Sequence, residues 1–356
     1  AGKPLTLAEF NFPWPNEYRC EGLLLGTAYA CLQDWDAVLL FSFKPNDPTL
    51  QTFRSQSDPA RWGQFPAAAL MFHRHDIAAA GNEVHVVHTK EAVSDIQPDQ
   101  RYAPSTNFRY LTFLSKVRQA FVDDTYRGDA DVVLAAGASS DVKVDAGTKV
   151  IRFEENPWEG WLYPQFVDAA RALNLPGYAV PVQAKTRRFV SDTAELSLDY
   201  ERGLLTINTP NAKSAIGFLA DAGRLEFDGM TVDCKTNFAA ITATSLDGRS
   251  IGQSRRVLLT SVARAENTAQ AFWPAPPNPK SWSPFSTWQI PARGRRPVIA
   301  EPVRAKVTVK VPDEASVYAL DSTGKRRERL SADNAHGTLT LDPASARSIW
   351  CEILVE

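Results

Sequence analysis

Leu5-Thr6-Leu7-Ala8-Glu9-Phe10-Asn11-Phe12-Pro13-Trp14-Pro15-Asn16-Glu17-Tyr18-Arg19-Cys20-Glu21-Gly22, followed by Tyr29-Ala30-Cys31-Leu32-Gln33-Asp34-Trp35-Asp36 and then Ala37-Val38-Leu39-Leu40-Phe41, decides how this chain is read. Leu5 to Phe10 is a short apolar run interrupted by Glu9, and Asn11 to Pro15 is a rigid, aromatic, proline-punctuated loop. Asn16 is a good helix N-cap, with Glu17 in the first turn where the helix dipole favours an acid. Leu24, Ala28, Cys31 and Leu32 recur at helical spacing, and Ala37 to Phe43 is a near-continuous apolar run of the kind found in a strand buried on both faces. Strand, helix, strand makes a βαβ unit, whose two strands lie parallel in one sheet.

Outward from that unit, Pro66 to Phe72 predicts a short helix packing back on the sheet. From about Asn82 the texture changes: Val84–Val87, Val132–Leu134 and Val150–Phe153 predict short strands, and Phe113–Phe121 a short helix. Tyr163–Leu173 carries apolar residues at helical spacing and stops before Pro176-Gly177. From about Phe189 short strands recur with turn residues between them, and Leu196–Leu198 and Leu204–Ile207 flank a glycine-containing hairpin connection. That pattern predicts a β-sandwich. Trp273 to Pro302, rich in Pro, Trp and Ser, reads as an ordered surface loop.

Several function classes are excluded by composition. With 39 Lys+Arg against 41 Asp+Glu mixed along 356 residues, there is no basic footprint for nucleic acid or an anionic membrane surface. No apolar run approaches the ~20 residues of a membrane helix, and Ala1-Gly2-Lys3-Pro4 does not open a signal peptide. Four cysteines do not make a disulfide framework, and Cys20 and Cys31, eleven residues apart on one predicted helix, cannot bridge each other; buried free thiols are the expectation. The five histidines offer no zinc spacing, His73 and His75 pointing in different directions and His85 and His88 lying on opposite faces of a strand. No phosphate loop, nucleophile elbow or dinucleotide fingerprint is present, so no cofactor is implied. Arg255-Arg256 and Arg293-Gly294-Arg295-Arg296 read as solvated or carboxylate-pairing clusters, and Trp273, Trp282 and Trp288 as loop anchors or a sugar-stacking surface.

A carboxylate at the carboxyl end of a parallel strand, followed by a loop with Trp and Asn, is where an α/β barrel places a catalytic group; the same Glu could equally cap or bond the loop. The stretch quoted above resembles the seventh strand, seventh helix and eighth strand of a clan A glycoside hydrolase barrel of the cellulase-like or β-galactosidase-like kind. Ala68-Ala69-Leu70-Met71-Phe72-His73-Arg74-His75-Asp76-Ile77 is similar to the end of its last helix. Glu195–Tyr200, Thr206–Pro210 and Ser254–Thr268 resemble accessory β-domains of bacterial members. The resemblance implies an α/β plus all-β fold: the end of a (β/α)8 barrel over 1–80, a mixed α/β domain over 81–188 and a β-sandwich over 189–356.

It implies, further, that Glu9 is the nucleophile of a retaining mechanism, with a second carboxyl about 5 to 5.5 Å away as acid and base. Asn11 and Asn16 would bond sugar hydroxyls, Trp14 would stack on a pyranose, and Phe43, or Phe41 beside it, would form an aromatic platform. The acid/base Glu of that clan ends the fourth strand, which would lie before Ala1. A carbohydrate substrate and a companion polypeptide or precursor segment supplying the rest of the barrel are therefore the expected partners, and secretion or a periplasmic location suits such a substrate. The alternatives are a non-catalytic carbohydrate-binding or structural protein, or a homo-oligomer in which residues 1–80 form the interface.

Overall fold

The opening stretch folds into strand β1 (Thr6–Phe10), helix α1 (Gly22–Leu32) and strand β2 (Ala37–Leu40). The Asp36 amide donates to the Leu5 carbonyl and the Phe41 amide to the Phe10 carbonyl. Both bonds span the same separation along the chain, so the two strands run parallel. The computed structural model describes residues 3–43, 49–94, 109–153, 188–274 and 288–355. The chain divides into two compact units, each drawing on several segments, that cut across the blocks 1–80, 81–188 and 189–356.

The first unit takes in residues 1–6, 26–38 and 71–209. Its centre is a four-stranded parallel sheet built from β3 (Glu83–Thr89), β4 (Lys116–Val122), β6 (Val132–Ala136) and β8 (Lys149–Phe153), in the order β4-β3-β6-β8; β5 (Thr125–Tyr126) pairs with β7 (Lys143–Val144) beside it. Alternation builds a core on each face: Val84, Val86, Val132 and Leu134 pack with Leu111, Leu114 and Phe189, while Val87, Val133 and Ala135 pack with Tyr126 and Val142. Strand β4 corrects the helix expected over 113–121; only the turn Arg109–Phe113 before it is helical. Three antiparallel strands, β9 (Arg188–Val190), β10 (Leu196–Asp199) and β11 (Leu204–Asn208), include the expected hairpin, with Leu196 opposite Ile207.

At the open edge of this sheet no strand lies beside β4 among the described residues. Gln33 fills the place: its Oε1 accepts from the Val117 amide at 2.9 Å, and its Nε2 donates to the Ser115 carbonyl at 2.6 Å and the Thr112 carbonyl at 2.9 Å. One side-chain amide thus reproduces the donor and acceptor that a neighbouring strand would offer.

The second unit takes in residues 7–25, 39–70 and 210–356. Its strands follow as β12 (Ala212–Phe218), β13 (Arg224–Phe227), β14 (Met230–Cys234), β15 (Phe238–Ser245), β16 (Arg256–Val262), β17 (Ala265–Thr268), β18 (Ala271–Pro274), β19 (Trp288–Ala292), β20 (Arg295–Ala300), β21 (Ala305–Lys310), β22 (Ala315–Leu320), β23 (Arg326–Leu330), β24 (Asp333–Ala335), β25 (Thr338–Leu341) and β26 (Trp350–Val355). They form two antiparallel sheets, β23-β22-β26-β16-β15-β12 and β13-β14-β21-β25-β24, with two smaller hairpins, β17-β20 and β18-β19. Strands within 271–300 correct the single loop expected over 273–302. Strand β15 is buried along its whole length, whereas β21 alternates, Val307 and Val309 inward and Lys306 and Lys310 outward. Helix α2 (Pro59–Trp62) lies flush on the larger sheet because Gly63 follows it: a Cβ there would meet Val262 at 2.7 Å and Ile349 at 2.9 Å. Gln64 then bonds the Ala240 carbonyl and the Thr260 hydroxyl, and the Trp350 indole bonds the Gly63 carbonyl at 2.6 Å.

These observations overturn the expected fold class. The chain is mainly antiparallel β-sheet with short helices, and it does not contain the helix-rich end of a (β/α)8 barrel. Strands β1 and β2 form a sheet of two, and Thr6, Ala8, Glu9 and Leu39 on them are exposed, where a barrel would bury its strands on both faces. An apolar run records the preference of its side chains, not how many layers cover it. The expected helix over 163–173 and Trp282 lie outside the described residues. All four cysteines are buried free thiols, and among the described residues no helix is long and apolar enough to cross a membrane.

Candidate functional site

The carboxyl ends of β1 and β2 bring Glu9 and a run of aromatic residues into the second unit. Glu9 is exposed, and its carboxylate has no ion-pair partner among the described residues. Beyond β2 the chain runs on through Phe41, Ser42 and Phe43, held in place as the Ser42 amide donates to the Phe53 carbonyl at 2.7 Å and the Ser55 amide to the Ser42 carbonyl at 3.1 Å. The Phe41 and Phe53 rings meet edge to face at 5.7 Å; Phe43 leans on Trp62 at 5.8 Å, and Trp62 stacks on Phe65 at 4.5 Å with 10° between the planes. Phe43 is 61% exposed and Phe53 53%, so these two rings lie open to solvent, while Trp62 packs on the core of Leu258, Leu320 and Trp350. Exposed aromatic rings gathered at one stretch of surface are the kind of feature on which an apolar face can dock.

A buried ionic centre holds the surface from beneath. Asp58, with no exposed side-chain area, accepts from Arg19 Nε at 2.7 Å and Arg61 Nε at 2.8 Å, and caps α2 through the Ala60 amide at 3.0 Å. Asp-Pro at the start of a helix is a local capping signal legible in sequence. The two guanidinium groups carry the centre's reach outward. Arg19 donates to the carbonyls of Asn16 and Ala265, and Arg61 to those of Gln51, Thr52 and Arg54 and to Asn11 Oδ1. Burial draws the Arg61 guanidinium below its ordinary range while Asp58 pulls it back up.

Most of the residues expected to touch sugar are occupied by this packing. Asn11 is bonded on both sides of its amide, to Arg61 and to the Phe41 and Phe53 carbonyls. Trp14 is wholly buried, its indole nitrogen on Gln270 Oε1 at 3.1 Å, so neither face is open to a pyranose. Asn16 accepts from the Tyr18 amide at 2.9 Å, but it is not the expected N-cap: Tyr18 holds that place before the turn Arg19–Glu21, with no side-chain cap bond. Phe43 and Phe41 remain presented, joined by Phe53, Trp62 and Phe65, which sequence reading missed. The signal for those three was the density of aromatic residues after β2.

Burial alone lifts the Glu21 carboxyl to about 7, where a carboxylic acid keeps its proton near neutrality. Among the described residues no group of three His, Cys, Asp or Glu side chains is placed to hold a metal ion.

A separate polar chain crosses the first unit. Tyr126 OH bonds His85 Nδ1 at 2.6 Å, His85 Nε2 bonds Glu83 at 2.7 Å, and Glu83 takes Lys116 at 3.1 Å and Arg118 at 3.0 Å. Burial pushes the Glu83 carboxyl up, but the bonds from His85 and Lys116 and the nearby charges outweigh it and hold it below the usual range. Glu83 opens β3, and an open parallel sheet binds ligands at the opposite, carboxyl ends, so this network reads as structural.

On the other face of β3, burial holds the His88 imidazole down to about 4. The unfolded chain takes up its proton near pH 6.5 and the folded chain only near 4, so stability is full above about pH 7 and falls as pH drops between those values. His88→Leu is expected to remove that share of acid sensitivity, measured as the difference between urea midpoints at pH 7 and pH 4.5 in the two proteins. Compared with known proteins, the chain matches no family model, no curated protein and no solved structure.

Proposed function

We propose that this chain is carbohydrate-active, contributing Glu9 as the nucleophilic carboxylate of a retaining glycoside hydrolase and the aromatic surface from Phe41 to Phe65 as the wall on which sugar rings stack. The observation that carries the reading is the exposed carboxylate of Glu9 at the carboxyl end of a parallel strand, next to the strand that leads into those aromatic side chains. Glu9 would attack the anomeric carbon as an acid supplied by a companion polypeptide protonates the leaving oxygen. Water, activated by the same group, would then release the sugar and restore the carboxylate. A poly- or oligosaccharide met outside the cytoplasm suits an open wall of this kind.

A fluorinated glycoside that traps the glycosyl-enzyme is the direct test on the native assembly. A mass adduct on the peptide containing Glu9 is expected, together with a kcat lowered by roughly 10³-fold or more in Glu9→Gln. Unchanged turnover in Glu9→Gln would sink the nucleophile. The second reading, non-catalytic glycan binding, is favoured by the engagement of Asn11, Trp14 and Asn16 in packing. On that reading Phe43→Ala weakens glycan binding while Glu9→Gln leaves it untouched.

A further inference from the structure

The smaller sheet of the second unit carries a groove that nothing above uses. It is an open trough of about 630 Å³, walled by the start of β21 (Arg304 to Lys306), the end of β14 (Asp233, Lys235), the approach to β24 (Ser331 to Asp333) and the end of β25 (Thr340 to Asp342). Its floor is set by strand register. Thr340 lies opposite Asp333, and Asp233 faces Lys306 on the neighbouring pair of strands. Backbone bonds fix the rim, since the Arg304 amide donates to Thr236 Oγ1 at 2.9 Å and its carbonyl accepts from the Lys235 amide at 2.8 Å.

The charges in this groove are unevenly committed. Asp233 is paired with Lys235 at 2.6 Å, and Asp342 holds the amides of Ala344 and Ala305. Thr340 shares its hydroxyl hydrogen bond with Thr308 at 2.9 Å. Arg304 and Lys306 are exposed, and among the described residues neither has an ion-pair partner. Two uncommitted cations therefore stand over a floor of hydroxyls and carboxylates.

We infer that this groove binds an acidic saccharide, a uronate-bearing glycan, with Arg304 and Lys306 on its carboxylate and Ser331, Thr340 and Asp333 on its hydroxyls. A guanidinium fork matches a carboxylate in two bonds, and Asp333 can only accept, which calls for a ligand that brings hydroxyl donors as well as an anion. The carboxylates of Asp233, Asp333 and Asp342 in the same walls would repel a dense phosphate backbone, so a glycan with spaced charges fits better than nucleic acid. The inference rests on reading the chain as carbohydrate-active, but not on Glu9.

Affinity electrophoresis through gels containing polygalacturonate, neutral xylan or duplex DNA tests it, with the wild type and the Arg304→Ala/Lys306→Ala double variant. Polygalacturonate is expected to retard the wild type, with at least tenfold weaker retardation of the double variant and a loss in high salt. Both altered side chains are exposed, and unchanged thermal melting checks that the fold is kept. Absence of retardation, or equal retardation of the double variant, overturns the inference. Retardation by DNA that is equally strong and equally lost also overturns it, since the groove would then be an unselective polyanion surface. A failed Glu9→Gln experiment leaves all of these outcomes readable.

Discussion

Asp58→Asn is expected to destabilise the second unit by about 3–5 kcal/mol, the cost of breaking a buried ion pair from one side. Asp58 is the only carboxylate bonded to Arg19 and Arg61 among the described residues, and the side chains of all three are at most 2% exposed. Without its charge two guanidinium groups face each other with only carbonyl oxygens to neutralise them. The amide that replaces the carboxylate would also turn a donor toward donors. Arg61→Met in the same chain removes one of the orphaned charges, so the double variant should lose several kcal/mol less than the sum of the single changes. Urea unfolding followed by tryptophan fluorescence measures this, because Trp62 sits on the helix that Asp58 caps. A midpoint within error of wild type would show that the centre is not what holds the aromatic wall.

Gln33→Leu is the second large effect, and it falls on the other unit. The change fills nearly the same space but takes away the partner of the Val117 amide and of the Ser115 carbonyl beside a buried side chain. An unsatisfied buried backbone group costs about 1–3 kcal/mol, so the two together should cost about 3 kcal/mol. Hydrogen exchange gives a local reading: the Val117 amide should exchange about 100-fold faster, since 1.4 kcal/mol is a factor of ten. Gln33→Glu keeps an acceptor for Val117 but turns a carboxylate on two carbonyls, and is expected to be nearly as damaging. Unaltered exchange at Val117 in Gln33→Leu would mean that water replaces the side chain at this edge.

How much of this could be read in advance depended on the distance over which each feature is encoded. The strand, helix and strand between Leu5 and Leu40 follow from local periodicity, as does the hairpin around Gly203. The step from those elements to a barrel failed because the number of layers over Leu39 or Phe41 is decided elsewhere in the chain. Strand β4 was misread because Phe113, Val117, Ala120 and Phe121 satisfy helical spacing, while its pairing with β3 is set by residues some thirty positions away. At the candidate site Glu9, Phe41 and Phe43 were legible as exposed chemistry at strand ends. The centre that supports them was not, because Asp58 joins Arg19 and Arg61 from opposite directions, and Arg19 reaches on to a carbonyl at Ala265. Trp14 looked like a sugar platform for the same reason: its covering residues, Gln270 among them, lie in the last third of the chain.

The outermost strands of the second unit show how so much sheet stays dispersed. Strand β23 is Arg326-Arg327-Glu328-Arg329-Leu330, four of its five side chains exposed and charged, and β13 at the rim of the other sheet places Arg224 and Glu226 outward. A neighbouring molecule approaching either rim to extend the ladder would have to strip water from those charges before any main-chain bond formed. Arg326 is further tied to Glu352, two strands in on the same sheet, at 2.6 Å. The two rims therefore act as electrostatic bumpers, and a protein this rich in β-structure resists fibre growth by the placement of a handful of surface charges.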